Sequence, residues 1–185
     1  MSHPDWRLKR SVVLVGMMGS GKTAVGKAIA GRLGVRFVDS DAAIEDAAQA
    51  TIAEIFARDG EVFFRDREAE VIARLLSAEP MVMSTGGGAF MAQRNRVTIA
   101  ERGVSLWLDV PLGALWDRVR HKDTRPLLKT ADPQGTLASL YAERTPVYAL
   151  ADMRLEVREG ASVEETAAGV IDALMARSDV MERRE

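Results

Sequence analysis

The sequence contains no cysteine. This absence excludes disulfide bonds, thiolate metal ligands and a cysteine nucleophile, and it is compatible with a reducing cytoplasm. No segment approaches the roughly 20 apolar residues that a membrane-spanning helix needs. An excess of basic residues is also missing, since 25 Lys and Arg are balanced by 27 Asp and Glu, for a net charge of -2. We therefore expect a cytoplasmic protein with neither a membrane nor a nucleic acid as partner.

The N-terminal segment contains one feature that resembles a secretory signal. The basic residues Arg7, Lys9 and Arg10 precede an apolar run over residues 11–18. The run is short, however, and it leads into Gly-Ser-Gly-Lys-Thr instead of a small-residue cleavage site. We interpret the run as a strand.

Strand and helix patterns alternate along the rest of the chain, which is long enough for one domain with a buried core. Compact apolar runs predict strands at 12–15, 36–38, 80–84, 104–109 and 153–157. Helical spacing predicts helices at 23–33, from about 42, 51–57, 61–76, 91–102, 111–120, 134–149 and 162–177, with Gly60 as a break. Residues 121–133 have no period and suit a mobile loop, and the tail from Ser178 is expected to be frayed. The alternation predicts an α/β fold with a parallel sheet covered on both faces.

A phosphate-binding motif follows the first predicted strand. Residues 16–23 match G-x-x-x-x-G-K-[ST], a loop whose backbone N–H groups surround phosphate oxygens. Lys22 would reach the β- and γ-phosphates, and the Thr23 hydroxyl would bind Mg²⁺. Because the motif lies between a predicted strand and a predicted helix, we expect it to bind a nucleotide.

Other motifs narrow the class of nucleotide-binding protein. The tetrapeptide Asn-Lys-x-Asp of guanine-specific switches is absent. Motor-type ATPases need Asp followed by Glu at a strand end, whereas Val110 follows Asp109 here. Asp109 is either a metal-associated carboxylate or a simple strand-end residue, and we favour the latter.

From the P-loop to Tyr148 the sequence resembles shikimate kinase. After the P-loop the resemblance rests, in order, on Asp39-Ser40-Asp41, Phe64-Arg65, Gly86-Gly87-Gly88-Ala89, Arg125-Pro126-Leu127-Leu128 and Arg144-Thr145-Pro146-Val147-Tyr148. It implies a three-layer P-loop fold of the nucleoside monophosphate kinase type, with a five-stranded parallel sheet flanked by helices, a mobile lid and substrate-binding helices. It also implies transfer of the γ-phosphate of ATP to the 3-hydroxyl of shikimate, giving shikimate 3-phosphate and ADP in aromatic amino-acid synthesis.

The resemblance assigns roles to individual residues. It implies that Asp39 helps to hold Mg²⁺ through water and that Asp41 binds the acceptor hydroxyls as the candidate base. Arg65 and Arg144 are implied to bind the carboxylate of shikimate, because a guanidinium matches that group with two parallel hydrogen bonds. The implied nucleotide-binding residues are Gly19, Ser20, Gly21, Lys22, Thr23, Ala24, Arg118 and Arg125. Lys22, Asp41 and Arg125 form the implied catalytic set.

Two further roles concern the lid and the glycine-rich segment. Arg125 would neutralise charge on the transferring phosphate, and Arg118 would stack on adenine, with Arg120 as its rival. Gly86, Gly87 and Gly88 would let backbone N–H groups approach the substrate ring. Ala24 after Thr23 is a small departure, since many family members have Ser-Thr there.

The expected organisation is a single domain over residues 1–185, acting as a monomer. It would contain the P-loop at 16–23, a substrate-binding helical region at about 40–76, a lid at about 120–133 and a frayed tail at 178–185. Two alternatives stay open at this point. One is another small-molecule P-loop kinase, for a gluconate or a nucleotide, and the other is a non-catalytic nucleotide-binding protein.

Overall fold

The computed structural model describes residues 5–122 and 125–184. Its strands are β1 (Trp6–Leu8), β2 (Ser11–Val15), β3 (Phe37–Asp39), β4 (Val82–Ser84), β5 (Gly103–Asp109), β6 (Met153–Glu156) and β7 (Met181–Arg183). Five of them form a parallel sheet in the order β3-β4-β2-β5-β6. The predicted five-stranded parallel sheet is therefore confirmed. β1 and β7 form a separate antiparallel pair.

The helices of the described residues flank the sheet. They are α1 (Lys22–Leu33), α2 (Ser40–Ala48), α3 (Ile52–Leu75), α4 (Gln93–Arg102), α5 (Leu112–Val119), α6 (Pro133–Tyr148) and α7 (Val163–Met175). Two of them, α3 and α7, begin with capping boxes. The hydroxyls of Thr51 and Ser162 each accept a hydrogen bond from the backbone N–H of the glutamate three residues later, and the side chain of that glutamate accepts one from the backbone N–H of the capping residue. None of these helices is long and apolar enough to cross a membrane.

The central strand β2 explains the position of the core. Val12, Val13, Leu14 and Val15 are fully buried, as expected for a parallel strand that is covered on both faces. The run that resembled a secretory signal is thus the middle of the sheet. It places the P-loop directly after the innermost strand.

A second, smaller hydrophobic cluster joins α2 to α3. Ile44, Ile55, Phe64 and Val71 are its buried members. Within α3 the backbone leaves helical geometry at Gly60, with φ 84° and ψ 173°, so the predicted break is confirmed as a kink between two helical segments. The region predicted to bind the substrate therefore has a small core of its own.

The prediction of a frayed C-terminal tail was wrong for its described residues. Met181 pairs with Leu8 and Arg183 with Trp6, while an Arg7–Glu182 ion pair links the same two strands. Val180 and Met181 are fully buried against the main core. The partners lie at opposite ends of the sequence, and neither three-residue strand shows a readable alternation. Glu185, also part of that prediction, lies outside the described residues.

Smaller differences concern the ends of elements and the predicted lid. α4 begins at Gln93 instead of residue 91, because a 3-10 turn over Ala89–Met91 precedes it. Another 3-10 turn, Pro126–Leu128, lies within the region predicted as a lid. Residues 123 and 124 of that region lie outside the described residues, and the lid stays a prediction.

The carboxyl ends of the strands carry the predicted functional residues. The P-loop follows β2, Asp39 ends β3, and the three glycines follow β4. Ligands of open parallel sheets bind beyond this edge. Asp109 at the end of β5 pairs with Arg154, whose Nη2 lies 2.6 Å from the carboxylate, so the strand-end interpretation of Asp109 agrees with the structure.

Candidate active site

A cavity of about 730 Å³ lies at the carboxyl edge of the sheet. The P-loop, the two aspartates after β3, the start of the glycine-rich segment and the flanks of the predicted lid all line it. Its predicted lining residues are Gly19, Ser20, Gly21, Lys22, Thr23, Ala24, Asp39, Asp41, Gly86, Gly87, Arg118 and Arg125. Residues from five separate parts of the sequence thus converge on one cavity.

The P-loop has the backbone that an anion cradle requires. Gly16, Gly19 and Gly21 have positive φ angles of 146°, 81° and 89°, a conformation that side chains disfavour. α1 starts at Lys22, so its N-terminus directs partial positive charge toward the loop. Lys22 Nζ donates to the carbonyls of Gly16 and Met17, at 2.7 and 2.9 Å.

Lys22 is also the electrostatic centre of the cavity. The pKa of Lys22 is lowered to about 8, first by burial and then by the charges of Arg125 and Arg144, although Asp41 and Asp39 work in the opposite direction. A triphosphate beside Lys22 would favour its charged form. The P-loop, both aspartates and two of the predicted arginines are therefore close enough to act on one another.

Asp39 serves two purposes through its two carboxylate oxygens. Oδ1 accepts the backbone N–H groups of Asp41 and Ala42, at 2.9 and 3.2 Å, and so caps α2. Oδ2 accepts a 3.3 Å hydrogen bond from the Thr23 hydroxyl. Capping and a contact to the predicted metal-binding hydroxyl coexist in one side chain.

The pair Thr23 and Asp39 fits Mg²⁺, which prefers oxygen ligands and usually binds through few protein groups together with water and phosphate. No group of three or more His, Asp and Glu side chains that could hold a metal occurs in the described part of the chain. A metal bound here would thus depend on the nucleotide phosphates for much of its coordination.

Asp41 lies beside the first residue of the glycine-rich segment. The pKa of Asp41 is raised to about 6, first by burial and then by the negative charges of Asp39 and Glu68. Lys22 and Arg65 oppose this rise. A carboxylate with a pKa near neutrality can accept a proton or a hydrogen bond from a hydroxyl.

The glycine-rich segment, which we define as the glycine triplet Gly86–Gly88, leaves space for three side chains that were predicted to bind the substrate. A Cβ atom at Gly86 would lie 2.8 Å from both carboxylate oxygens of Asp41. A Cβ at Gly87 would lie 2.9 Å from Arg144 Nη1, and one at Gly88 would lie 2.6 Å from Arg65 Nη2. Each glycine thus leaves room for a different charged side chain.

Arg65 is held by a neighbour that the sequence did not single out. Its Nη1 donates to Glu68 Oε1 at 2.9 Å, one helical turn along α3, and Glu68 is 1% exposed. Burial raises the pKa of Glu68, while Arg65 works against this rise. The i, i+3 spacing of Arg65 and Glu68 is visible in the sequence, but only the structure shows that this carboxylate is buried.

The arginines near the predicted lid differ in their surroundings. Arg118 lines the cavity, and its Nη1 donates to the Gly19 carbonyl at 3.0 Å. Arg120 instead points toward Asp117, 3.8 Å away, and stays half exposed. Arg125 also lines the cavity, and among the described residues its buried Nε has no hydrogen-bond partner. This placement favours Arg118 over Arg120 as the residue beside a nucleotide.

Comparisons with known proteins agree with this geometry. A family model described as shikimate kinase matches residues 18–175. The chain belongs to the shikimate kinase family. It is 60% identical to a shikimate kinase of Ruegeria pomeroyi over 175 residues, which is 95% of this chain and 90% of that protein. A shikimate kinase of Cereibacter sphaeroides is 60% identical over 179 residues, covering 97% of this chain and 89% of that protein.

Solved shikimate kinases share the fold. The shikimate kinase from Acinetobacter baumannii in complex with shikimate has a TM-score of 0.85 and 36% sequence identity, over 91% of this chain and 94% of that chain. As a member of the shikimate kinase family, the chain is an ATP-dependent kinase that acts on an alcohol. The family and the reaction class inferred from the motifs are confirmed.

The sequence analysis missed one stretch of the cavity wall. Val157, Ala161, Ser162, Val163 and Thr166, at the junction of β6 and α7, also line the cavity. No motif marks these residues, and only the cap at Ser162 was readable as a helix start. Val157, Ala161 and Val163 add apolar surface to the cavity, beside that of Met18 and Val25.

Proposed function

We propose that the chain transfers the γ-phosphate of ATP to the 3-hydroxyl of shikimate, giving shikimate 3-phosphate and ADP. The observation that carries the proposal is the convergence of a P-loop lysine with Asp41 and a pair of arginines. Lys22 responds to the charges of Asp41, Arg125 and Arg144 at once. The phosphate cradle and the acceptor groups are therefore neighbours, as in-line transfer requires.

On the nucleotide side we propose that residues 19–24 surround the phosphates and that Arg125 neutralises charge on the transferring phosphate. Lys22 would leave the carbonyls of Gly16 and Met17 and turn to the β- and γ-phosphates. Thr23, and Asp39 through water, would hold Mg²⁺, which neutralises phosphate charge when bound. Arg118, with the apolar residues between β6 and α7, would contact the adenine.

On the acceptor side we propose that Arg65 and Arg144 bind the carboxylate of the acid. The two guanidinium groups stand against Gly88 and Gly87, while Asp41 stands against Gly86. The spacing of these groups along the triplet places positive charge at one end and the carboxylate of Asp41 at the other. An acid that binds to the arginines would present its hydroxyls to Asp41, which orients the attacking oxygen and accepts its proton.

The organisation of the chain forms part of the proposal. We propose one domain over residues 1–185, with a lid at about 120–133 that closes over both substrates and excludes water. The chain is proposed to act as a monomer in the cytoplasm, where ATP is available. Size-exclusion chromatography with light scattering would reveal a dimer if this expectation is wrong.

An acceptor panel tests the proposed reaction. ADP release with Mg-ATP should depend on shikimate and should stay at the level without acceptor when gluconate or a nucleoside monophosphate replaces shikimate. Release with one of those acceptors alone would identify a different small-molecule kinase. ATP binding without ADP release for any acceptor would identify a non-catalytic protein.

A further inference from the structure

Tyr148 forms a buried link between the last turn of α6 and the glycine triplet. Its side chain is 1% exposed, and its hydroxyl donates to the Gly87 carbonyl at 2.6 Å. The proposed reaction gives Tyr148 no contact with either substrate. The bond nevertheless ends on the middle residue of the segment that accommodates Asp41, Arg144 and Arg65.

The tyrosine ring is held firmly. It stacks on Trp107 of β5, with centroids 6.2 Å apart and an interplanar angle of 29°. Burial raises the pKa of Tyr148 to about 12, against the opposing charge of Arg144, so the hydroxyl keeps its proton at neutral pH. The donor is therefore fixed in both position and protonation state.

The peptide that Tyr148 binds is also the central peptide of a turn, in which the Ala89 N–H donates to the Gly86 carbonyl at 3.1 Å. It joins Gly87 to Gly88, two residues whose missing side chains leave the backbone free to rotate. Within the described residues neither the Gly87 nor the Gly88 N–H donates to another group. The turn and the Tyr148 bond together therefore fix the orientation of this peptide, and Tyr148 supplies the side-chain part of that restraint.

The hydrogen bond from Tyr148 to the Gly87 carbonyl also determines where the Gly88 N–H points. In a planar trans peptide the C=O of Gly87 and the N–H of Gly88 point in opposite directions. Because the carbonyl faces Tyr148, the Gly88 N–H points away from it. The same residue, Gly88, lies against the Arg65 guanidinium.

Arg144 takes part in the same arrangement. Arg144 and Tyr148 are separated by four positions on α6, so they share one face of the helix. Both approach Gly87, since a Cβ atom there would lie 2.9 Å from Arg144 Nη1 and 3.7 Å from the Tyr148 hydroxyl. A single tyrosine therefore fixes the distance between α6, which carries Arg144, and the triplet.

We infer that Tyr148 is a positioning residue for the acceptor acid, which holds the Gly88 N–H and Arg144 in register so that both bind the carboxylate. This inference rests on the proposed function. Tyr148 acts through Gly87 and does not touch the acid itself. Loss of its hydroxyl should consequently weaken acceptor binding and leave nucleotide binding intact.

Tyr148→Phe tests the inference, with Tyr141→Phe as the matched control. Tyr141 is the other tyrosine of the chain, lies on the same helix and makes no hydroxyl hydrogen bond within the described residues. We expect Tyr148→Phe to raise KM for shikimate roughly ten-fold, the scale of one lost buried hydrogen bond, with KM for ATP within about two-fold of wild type. Tyr141→Phe should match wild type in both constants.

A purely structural tyrosine would give a different result. A lower Tm for Tyr148→Phe with both KM values unchanged, or an equal rise in both, would overturn the inference. A second measurement uses the wild-type chain, so it does not depend on the variant folding. In a ¹⁵N-labelled sample the Gly88 amide signal should shift on titration with shikimate, and a signal that stays in place would also overturn the inference.

The same experiment separates the two proposals. Absence of shikimate-dependent ADP release in wild type and in Tyr141→Phe would contradict the proposed function. Normal release in wild type with wild-type KM values in Tyr148→Phe would contradict only the positioning role.

Discussion

The P-loop and the glycine triplet are both glycine-rich segments at the carboxyl edge of the same sheet, but they need glycine for different physical reasons. In the P-loop, Gly19 and Gly21 adopt positive φ angles of 81° and 89°. In the triplet no glycine has a positive φ, and Gly88 has an ordinary φ of -90°. What the triplet needs is space, because Cβ atoms would stand where Asp41, Arg144 and Arg65 now lie.

The difference explains which substrate each segment affects. A substitution in the P-loop alters backbone N–H groups or Lys22, which we propose to bind the phosphates. A triplet lesion instead displaces side chains that we propose to bind the acceptor. The comparison therefore predicts that the two segments fail separately, one through the nucleotide and the other through the acid.

Lys22→Met should give the largest effect. Removal of the buried ammonium eliminates a positive charge that stabilises the transferring phosphoryl group, and we expect kcat to fall about 100- to 1000-fold. Circular dichroism should show an unchanged fold, because the lysine side chain is not part of the hydrophobic core. A kcat close to wild type would show that Lys22 takes no part in phosphoryl transfer and would contradict the role assigned to the P-loop.

A matched pair of glycine substitutions, one in each segment, should have the next largest effects and should separate acceptor binding from nucleotide binding. Gly88→Ala should displace the Arg65 guanidinium and raise KM for shikimate roughly 10- to 100-fold, the scale of lost charge-assisted hydrogen bonds, with little change in KM for ATP. Tm should hardly change, since the displaced atoms belong to the end of a flexible side chain.

Gly19→Ala should behave in the opposite way. Alanine at φ 81° costs about 1–2 kcal/mol, and its Cβ would lie 2.7 Å from Val119 Cγ1. We expect a lower Tm and a raised KM for ATP at an unchanged KM for shikimate. Equal effects of both substitutions on both KM values would show that the two segments do not act separately.

The pH dependence of kcat/KM should give the smallest effect, with one limb for a residue beside each segment. Asp41, beside the triplet, has its pKa raised to about 6, and Lys22 of the P-loop has its pKa lowered to about 8. Below pH 6 Asp41 becomes protonated and stops accepting a hydrogen bond, and above pH 8 Lys22 loses its charge. We expect kcat/KM to be highest between these values and to fall up to about ten-fold per pH unit outside them.

Asp41→Asn checks the assignment of the acid limb. This variant should retain a low activity whose decline below pH 6 is absent, while the decline above pH 8 persists. A wild-type acid limb in Asp41→Asn would assign that ionisation to another group.

Elements with local signals were predicted well. The P-loop, the strand β2 and the break at Gly60 each follow from a few adjacent residues. Asp39 stays a prediction as a metal-associated carboxylate, and the structure adds that one of its oxygens caps α2 while the other accepts a bond from Thr23. Boundaries shifted by one or two residues where a 3-10 turn replaced the first turn of α4.

Features that depend on distant residues were missed. The pairing of β1 with β7 joins residues about 175 positions apart, and neither strand is long enough to be readable alone. Glu68 and Tyr148 are polar residues whose burial depends on the packing of α3 and α6. The cavity wall between β6 and α7 carries no motif, because it contributes shape and apolar surface instead of a specific chemical group.

By itself the sequence determined the phosphate-binding loop, the order of strands and helices and the family of the chain. These properties depend on local sequence patterns, because a turn, a helical period of 3.6 residues or a glycine at a fixed position involves only residues that are close in the sequence. Only the tertiary structure showed why the triplet must be glycine and which charged side chain lies against each of its three residues. Those answers depend on distances between Gly86, Gly87 and Gly88 and the ends of side chains from α2, α3 and α6, which meet only when the sheet and its helices have packed.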